Sequence, residues 1–161
     1  MVIAIDMIGT NLGSGTKTYN LNFCENLHKF NIENTIYIFI TKDYSKNVVQ
    51  NENSNIKYVI KSNILKNIFF RIFWMQLVLP FELKFLKVNQ LFSPMNMGPI
   101  SLGLLNIKFT LALHSNLPWV YFSKMPGNIL RNFFIKLLMQ ISINVCDKLI
   151  VDSNFAKNEI V

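Results

Sequence analysis

Apolar residues gather in short runs along the whole chain, and few of these runs alternate with polar positions. Residues 2–5, 35–40, 56–60, 90–93, 109–113 and 149–151 predict six strands rich in β-branched and apolar side chains. Runs without polar alternation fit strands covered on both faces, as in a parallel sheet. Between the runs the period becomes helical. Tyr19, Phe23, Leu27 and Phe30 form one apolar stripe; Ile129, Phe133, Leu137 and Ile141 form another, after the break Pro126-Gly127-Asn128. Strands alternating with helices predict an α/β fold: a single domain over residues 1–161, built as a Rossmann-like parallel sheet with helices on both faces. In such sheets ligands bind outside the carboxyl ends of the strands.

The segment 63–90, "NILKNIFFRIFWMQLVLPFELKFLKVNQ", breaks the rhythm. Ile64, Ile68, Ile72, Met75 and Leu79 keep a helical spacing, but Phe69, Phe70, Phe73 and Trp74 make nearly the whole circumference apolar. Lys61, Lys66, Arg71, Lys84 and Lys87 set positive charge around it. With no sustained polar face, the pattern fits a helix held between the sheet and a partner domain better than an interfacial helix on an anionic membrane. Both readings stand at this point.

Composition sharpens the picture in two places. The 161 residues are 51% hydrophobic and 16% charged, with 14 Phe, which is greasy for a domain of this size. Even so, Val88 to Ile107 is interrupted by Ser93, Pro94, Gly98, Pro99 and Gly103, so it predicts no spanning helix, and Asp6 with the early glycines interrupts any leader pattern. The expected location is the cytoplasm. The net charge of +7 favours an anionic partner such as phosphate, nucleic acid or lipid headgroups, although no nucleic-acid motif accompanies it. Cys24 and Cys146 stand alone and predict buried reduced thiols, with no metal site.

Candidate chemistry begins after the first strand. Gly9, Gly13 and Gly15 crowd a loop that leads into a helix near Lys17, an arrangement in which backbone N–H groups and the helix dipole favour an anion. Two familiar motifs fail on it. Thr16 separates Gly15 from Lys17, so no P-loop forms, and a G-x-G-x-x-G starting at Gly13 would need glycine where Thr18 stands. His114 follows the run "FTLAL" and so stands at a strand end, where an imidazole can bond a sugar hydroxyl or a phosphate or act near neutral pH. His28 falls inside the first helix, with a packing or surface role. Asp6 and Asp152 each follow a strand, a common place for caps and turns.

Four stretches, in order, carry a resemblance: "MVIAID…LGSGTKTYNLNF", "WMQLVLPFELKFLKVNQLFSPMNMGPI", "KFTLALHSNLPWV" and "CDKLIVDSNFAKNEIV". Together the chain resembles the N-terminal half of a GT-B glycosyltransferase of the large retaining family that uses nucleotide sugars. The matching residues are Tyr19 with Asn20-Leu21, Trp74 with Gln76 and Leu79-Pro80, and Ser93, Pro94, Asn96 and Pro99. His114 matches as well, as do Asp147, Ser153, Phe155 and Lys157.

The resemblance implies one half of a GT-B architecture, with His114 reaching the donor sugar as the catalytic residue. It further implies donor or acceptor contacts from Gly13, Ser14, Gly15, Lys17, Asn96 and Ser115. No metal is implied; the co-substrates are a nucleotide-diphosphate sugar and a glycan or lipid-linked acceptor. Lys17-Thr18 stand where the family often has Gly-Arg, and Ser115 replaces an aspartate. The family's second domain and its paired glutamates are not in these residues, so the chain alone is not expected to turn over. A stand-alone nucleotide- or partner-binding module on the same fold is the alternative. A peripheral membrane surface and a homodimer remain open as partners.

Overall fold

The computed structural model describes residues 1–9, 15–27, 29, 33–48, 55–115, 117–125, 127–154 and 157–158. The fold is α/β with a six-stranded, all-parallel sheet in the order β3-β2-β1-β4-β5-β6. The strands are β1 (Val2–Asp6), β2 (Thr35–Thr41), β3 (Ile56–Lys61), β4 (Gln90–Ser93), β5 (Lys108–Leu113) and β6 (Lys148–Val151). Each runs where the apolar pattern places it, longer by at most one residue at either end. The helices are α1 (Gly15–Leu27), α2 (Lys42–Ser45), α3 (Ile68–Phe73), α4 (Leu79–Phe85), α5 (Leu117–Val120) and α6 (Ile129–Val145).

Two apolar clusters show that both faces are covered. Ile5, Ile36, Ile38 and Ile40 pack with Cys24 of α1 and Tyr44 of α2. On the opposite face Ala4, Phe39, Leu91, Phe109 and Leu111 pack with Trp74, Met75, Leu79 and Leu83, and with Met139 of α6. The strand order reverses between β1 and β4, and at such a switch the crossovers leave a crevice at the carboxyl edge.

The segment 63–90 is not one regular helix. A short 3-10 turn (Asn63–Lys66) leads into α3, a π-turn (Trp74–Val78) follows, and α4 closes it. Pro80 explains the π-turn: it has no N–H to give the Gln76 carbonyl, and its ring would crowd that carbonyl in a regular helix. The Leu79 N–H reaches back five residues to the Trp74 carbonyl, which widens the turn and places the proline just inside α4. Trp74, Met75, Leu79 and Leu83 face the sheet, while Phe69, Phe70, Phe73, Phe81 and Phe85 lie exposed. Arg71 departs from the expected ring of surface cations, for it points inward and is buried.

In α6 the stripe of Ile129, Phe133 and Leu137 faces outward. The inner face is made instead by Asn132, Leu138, Met139 and Ser142, with Ile135 and Ile143 beside them. Hydrogen bonds permit the two polar residues there. Asn132 donates from Nδ2 to the Met125 carbonyl at 3.2 Å, and the Ser142 hydroxyl donates to the Leu138 carbonyl at 2.7 Å. Among the described residues, no helix is long and apolar enough to cross a membrane.

Candidate functional site

Parallel register assembles the site at the carboxyl edge of the sheet. Leu113 of β5 is paired with Val151 of β6, so the next residues, His114 and Asp152, leave the sheet side by side. His114 Nδ1 lies 3.1 and 3.2 Å from the two carboxylate oxygens of Asp152. A carboxylate accepts only, so Nδ1 is a nitrogen that carries a proton and donates; Nε2 is the other ring nitrogen. That nitrogen, Nε2, is enclosed and has no hydrogen-bond partner among the described residues.

Two further groups fix the imidazole. The Tyr19 ring, from the second turn of α1, packs on it with centroids 4.5 Å apart and planes inclined by 53°. Burial first, and the Asp152 charge second, hold the Tyr19 phenol above its ordinary range. Asn96 accepts the His114 backbone N–H on Oδ1 at 2.6 Å, while its own N–H donates to the Ala112 carbonyl at 3.2 Å. It does so from the left-handed region, at φ +65°, which asparagine tolerates better than most residues.

The loop that presents Asn96 is tied down on every side. Ser93 Oγ donates to the Met97 carbonyl at 2.8 Å, and the Gly98 N–H donates to Ser142 Oγ at 3.2 Å. Gln76, on the π-turn, bridges the loop's far end: its Nε2 donates to the Gly98 carbonyl at 3.1 Å, and its Oε1 accepts the Ile100 N–H at 3.0 Å. Gly98 itself lies so close to Phe109 that an added Cβ would come within 2.2 Å of the ring. The Trp-x-Gln-x-x-Leu-Pro stretch therefore acts as scaffold, and its effect on the site passes through this loop.

A second pair of charges stands on the same edge, beside Gly9. Asp6, the last residue of β1, is fully buried, and its Oδ1 accepts the Ile8 N–H at 2.9 Å. Burial pushes its carboxyl up to about 6, against the opposing pull of the Arg71 charge and the Ile8 N–H. Arg71 lies 93% out of solvent and donates weakly from Nη2 to the Met95 carbonyl at 3.4 Å; among the described residues it makes no ion pair. Burial lowers its guanidinium from the ordinary value, with Asp6 opposing. Gly9, at φ +91°, closes over this guanidinium so tightly that a Cβ would sit 2.5 Å from Nη1.

Of the residues expected at the site, His114 and Asn96 meet directly, and Ser115 follows His114 out of the strand, half-buried. Gly15 opens α1 with empty space where a Cβ would go, and Lys17 sits half-buried in the same first turn. Gly13 and Ser14 lie outside the described residues, as do His28 and Phe30. Asp152, Tyr19, Asp6 and Arg71 join the edge without having been assigned a part in it. The signal for Asp152 was present in the chain: two apolar runs predicted as strands end one residue before His114 and one residue before Asp152. Nothing comparable marked Arg71, since helical spacing alone does not tell a buried cation from an exposed one.

Cys24 is a buried free thiol, pushed up to about 11 by burial, and Cys146 is a half-buried one, also raised. Among the described residues no three His, Cys, Asp or Glu side chains gather where they would hold a metal ion. No protein-family model matches the chain, and neither a curated protein nor a solved structure matches it.

Proposed function

We propose that this chain is the acceptor-side domain of a retaining glycosyltransferase that moves a sugar from a nucleotide sugar to a glycan or lipid-linked acceptor on the cytoplasmic side of a membrane. The observation that carries the reading is His114: a strand-end histidine whose Nδ1 is held by Asp152 and whose Nε2 has no partner among the described residues. It stands on the edge where parallel sheets take their ligands. The order of the four resembling stretches, and a sheet that reverses between β1 and β4, support the same reading.

In this role the groups that enclose Nε2 part to admit a hydroxyl of the donor sugar, and Asp152 stabilises the imidazolium whenever His114 carries a second proton. Asn96 and Tyr19 are positioning residues that fix the height and tilt of the ring. Lys17, in the first turn of α1, adds positive charge near a departing diphosphate, and the resemblance assigns contacts with it to Gly13, Ser14 and Gly15. A second domain supplies most of the nucleotide contacts.

The test uses the complete gene product, including whatever is encoded beyond Val161, and a panel of radiolabelled nucleotide sugars. The expected outcome is that His114→Ala lowers transfer by about 100-fold or more while the thermal midpoint stays within a few degrees of the parent. Unchanged transfer would remove His114 from the chemistry. No transfer from any donor, with tight nucleotide binding by residues 1–161 alone, would favour a stand-alone binding module.

A further inference from the structure

We infer that Arg71 is a positioning residue for His114, acting through the Met95 carbonyl on the turn from which Asn96 holds the histidine's backbone. Its effect on transfer rests on the reaction proposed above; its effect on the His114 backbone does not. The connection runs through one peptide plane, the unit between Met95 and Asn96. Arg71 Nη2 donates to the carbonyl of that unit at 3.4 Å, and the N–H of the same unit donates to the Ala112 carbonyl at 3.2 Å. A peptide unit is flat, so holding both ends fixes how the plane turns, and that turn sets φ of Asn96. Asn96 stands at φ +65°, a conformation that a residue other than glycine keeps where its surroundings impose it. From there its Oδ1 accepts the His114 N–H at 2.6 Å.

A second tie reaches the same residue. Tyr19 packs on the His114 ring at 4.5 Å, and its chain neighbour Asn20, which is buried, donates from Nδ2 to the Met95 sulfur at 3.5 Å. Two groups that touch the histidine, Tyr19 and Asn96, are thus joined through their chain neighbours, and Arg71 holds the joint. Covering the sheet does not explain a cation at this place, since Trp74, Met75, Leu79 and Leu83 of the same segment do so with apolar side chains. A buried charge is costly, and the fold gives this one a fixed seat. Asp6 opposes the cost of burying the guanidinium, and Gly9 packs so close that a Cβ would lie 2.5 Å from Nη1. Arg71 and Met95 are both buried, so little water competes for the carbonyl and even a long bond orients it.

The experiment is amide hydrogen exchange, read residue by residue, on the complete gene product. The His114 N–H is compared with that of Ile38, in the middle of β2, which reports any general loss of stability. Arg71→Met should speed His114 exchange at least about tenfold relative to Ile38. Asp6→Asn combined with Arg71→Met, which leaves no unpaired carboxyl in the interior, should do the same. Asn96→Gly keeps the left-handed backbone, removes the acceptor, and should also raise the ratio. Adding Arg71→Met to Asn96→Gly should change it by less than about threefold, because both act on one bond. On transfer, Arg71→Met should lower kcat about tenfold or more, with KM for the nucleotide sugar within about threefold of the parent. An exchange ratio equal to the parent's in both Arg71 variants overturns the inference, as does full additivity of the Arg71 and Asn96 changes. So does a parental kcat for Arg71→Met in an enzyme that His114→Ala disables. The exchange ratios decide the role of Arg71 even if no sugar is transferred, so its failure and that of the proposed reaction are read separately.

Discussion

Two pairs of titratable groups stand a few strands apart on the same sheet edge, and they are built on opposite terms. His114 and Asp152 touch, at 3.1 Å, with the carboxylate 56% exposed. Asp6 and Arg71 are both buried, neither is in an ion pair among the described residues, and a glycine is pressed against the guanidinium. Register makes the first pair: adjacent parallel strands ending at matched positions deliver their next residues together. Packing makes the second, because α3 must cover the sheet and Arg71 is on its inner side. The first pair has water to share its charge and is cheap to alter. The second holds charge in the interior, where its removal or crowding is felt by the whole fold.

The sharpest way to break the second pair is Gly9→Ala. The residue sits at φ +91°, and the new Cβ would meet Arg71 at 2.5 Å. The substitution adds backbone strain to steric overlap and should cost about 2–4 kcal/mol, measured as a lowered urea midpoint with unchanged slope. A midpoint within error of the parent would mean that Arg71 moves aside freely.

The next effect is a pH dependence. Asp6 titrates near 3.8 when unfolded and at about 6 when folded, so the native state holds this proton more tightly. Folding therefore takes up a proton across that window. Asp6's contribution to stability is full below about pH 4, declines as pH rises through about 6, and is level beyond. Relative to Asp6→Asn, which cannot titrate, the parent should lose about 2–3 kcal/mol between pH 4 and 7. Parallel stability profiles for the two proteins would show that Asp6 is not buried as described.

The same contrast marks how much could be read from the chain. The six strands were legible to within a residue because a strand buried on both faces leaves an unbroken apolar run, and Val2, Thr35 and Ile56 each begin one. His114 was legible because it ends such a run. The facing of α6 was not: Ile129, Phe133 and Leu137 make as good a stripe as the residues that do face the sheet. Asn132 and Ser142 are buried by bonds to Met125 and Leu138 that periodicity does not encode. Arg71 escaped for a related reason, since its fate depends on Gly9 and Met95, 62 and 24 positions away in the chain. Most of the glycine loop, residues 10–14, lies outside the described residues, and its part in the site rests on the resemblance.

The smallest change in stability and the most informative one belongs to the first pair. Asp152→Asn should alter the unfolding free energy by less than about 1 kcal/mol, since the carboxylate is more than half exposed. It should nonetheless change which ring nitrogen of His114 carries the proton. The central claim, that Asp152 fixes Nδ1–H and leaves Nε2 to take its partner from the ligand, is most directly tested by long-range proton–nitrogen correlation spectra of the imidazole. These would be recorded on the complete gene product and its Asp152→Asn variant, with and without saturating nucleotide sugar. The account predicts a proton held on Nδ1 in the parent, a mixed tautomer in the variant, and an Nε2 resonance that moves when the nucleotide sugar binds. An Nε2–H ring in the parent, or an Nε2 signal indifferent to every nucleotide sugar that binds, would contradict it.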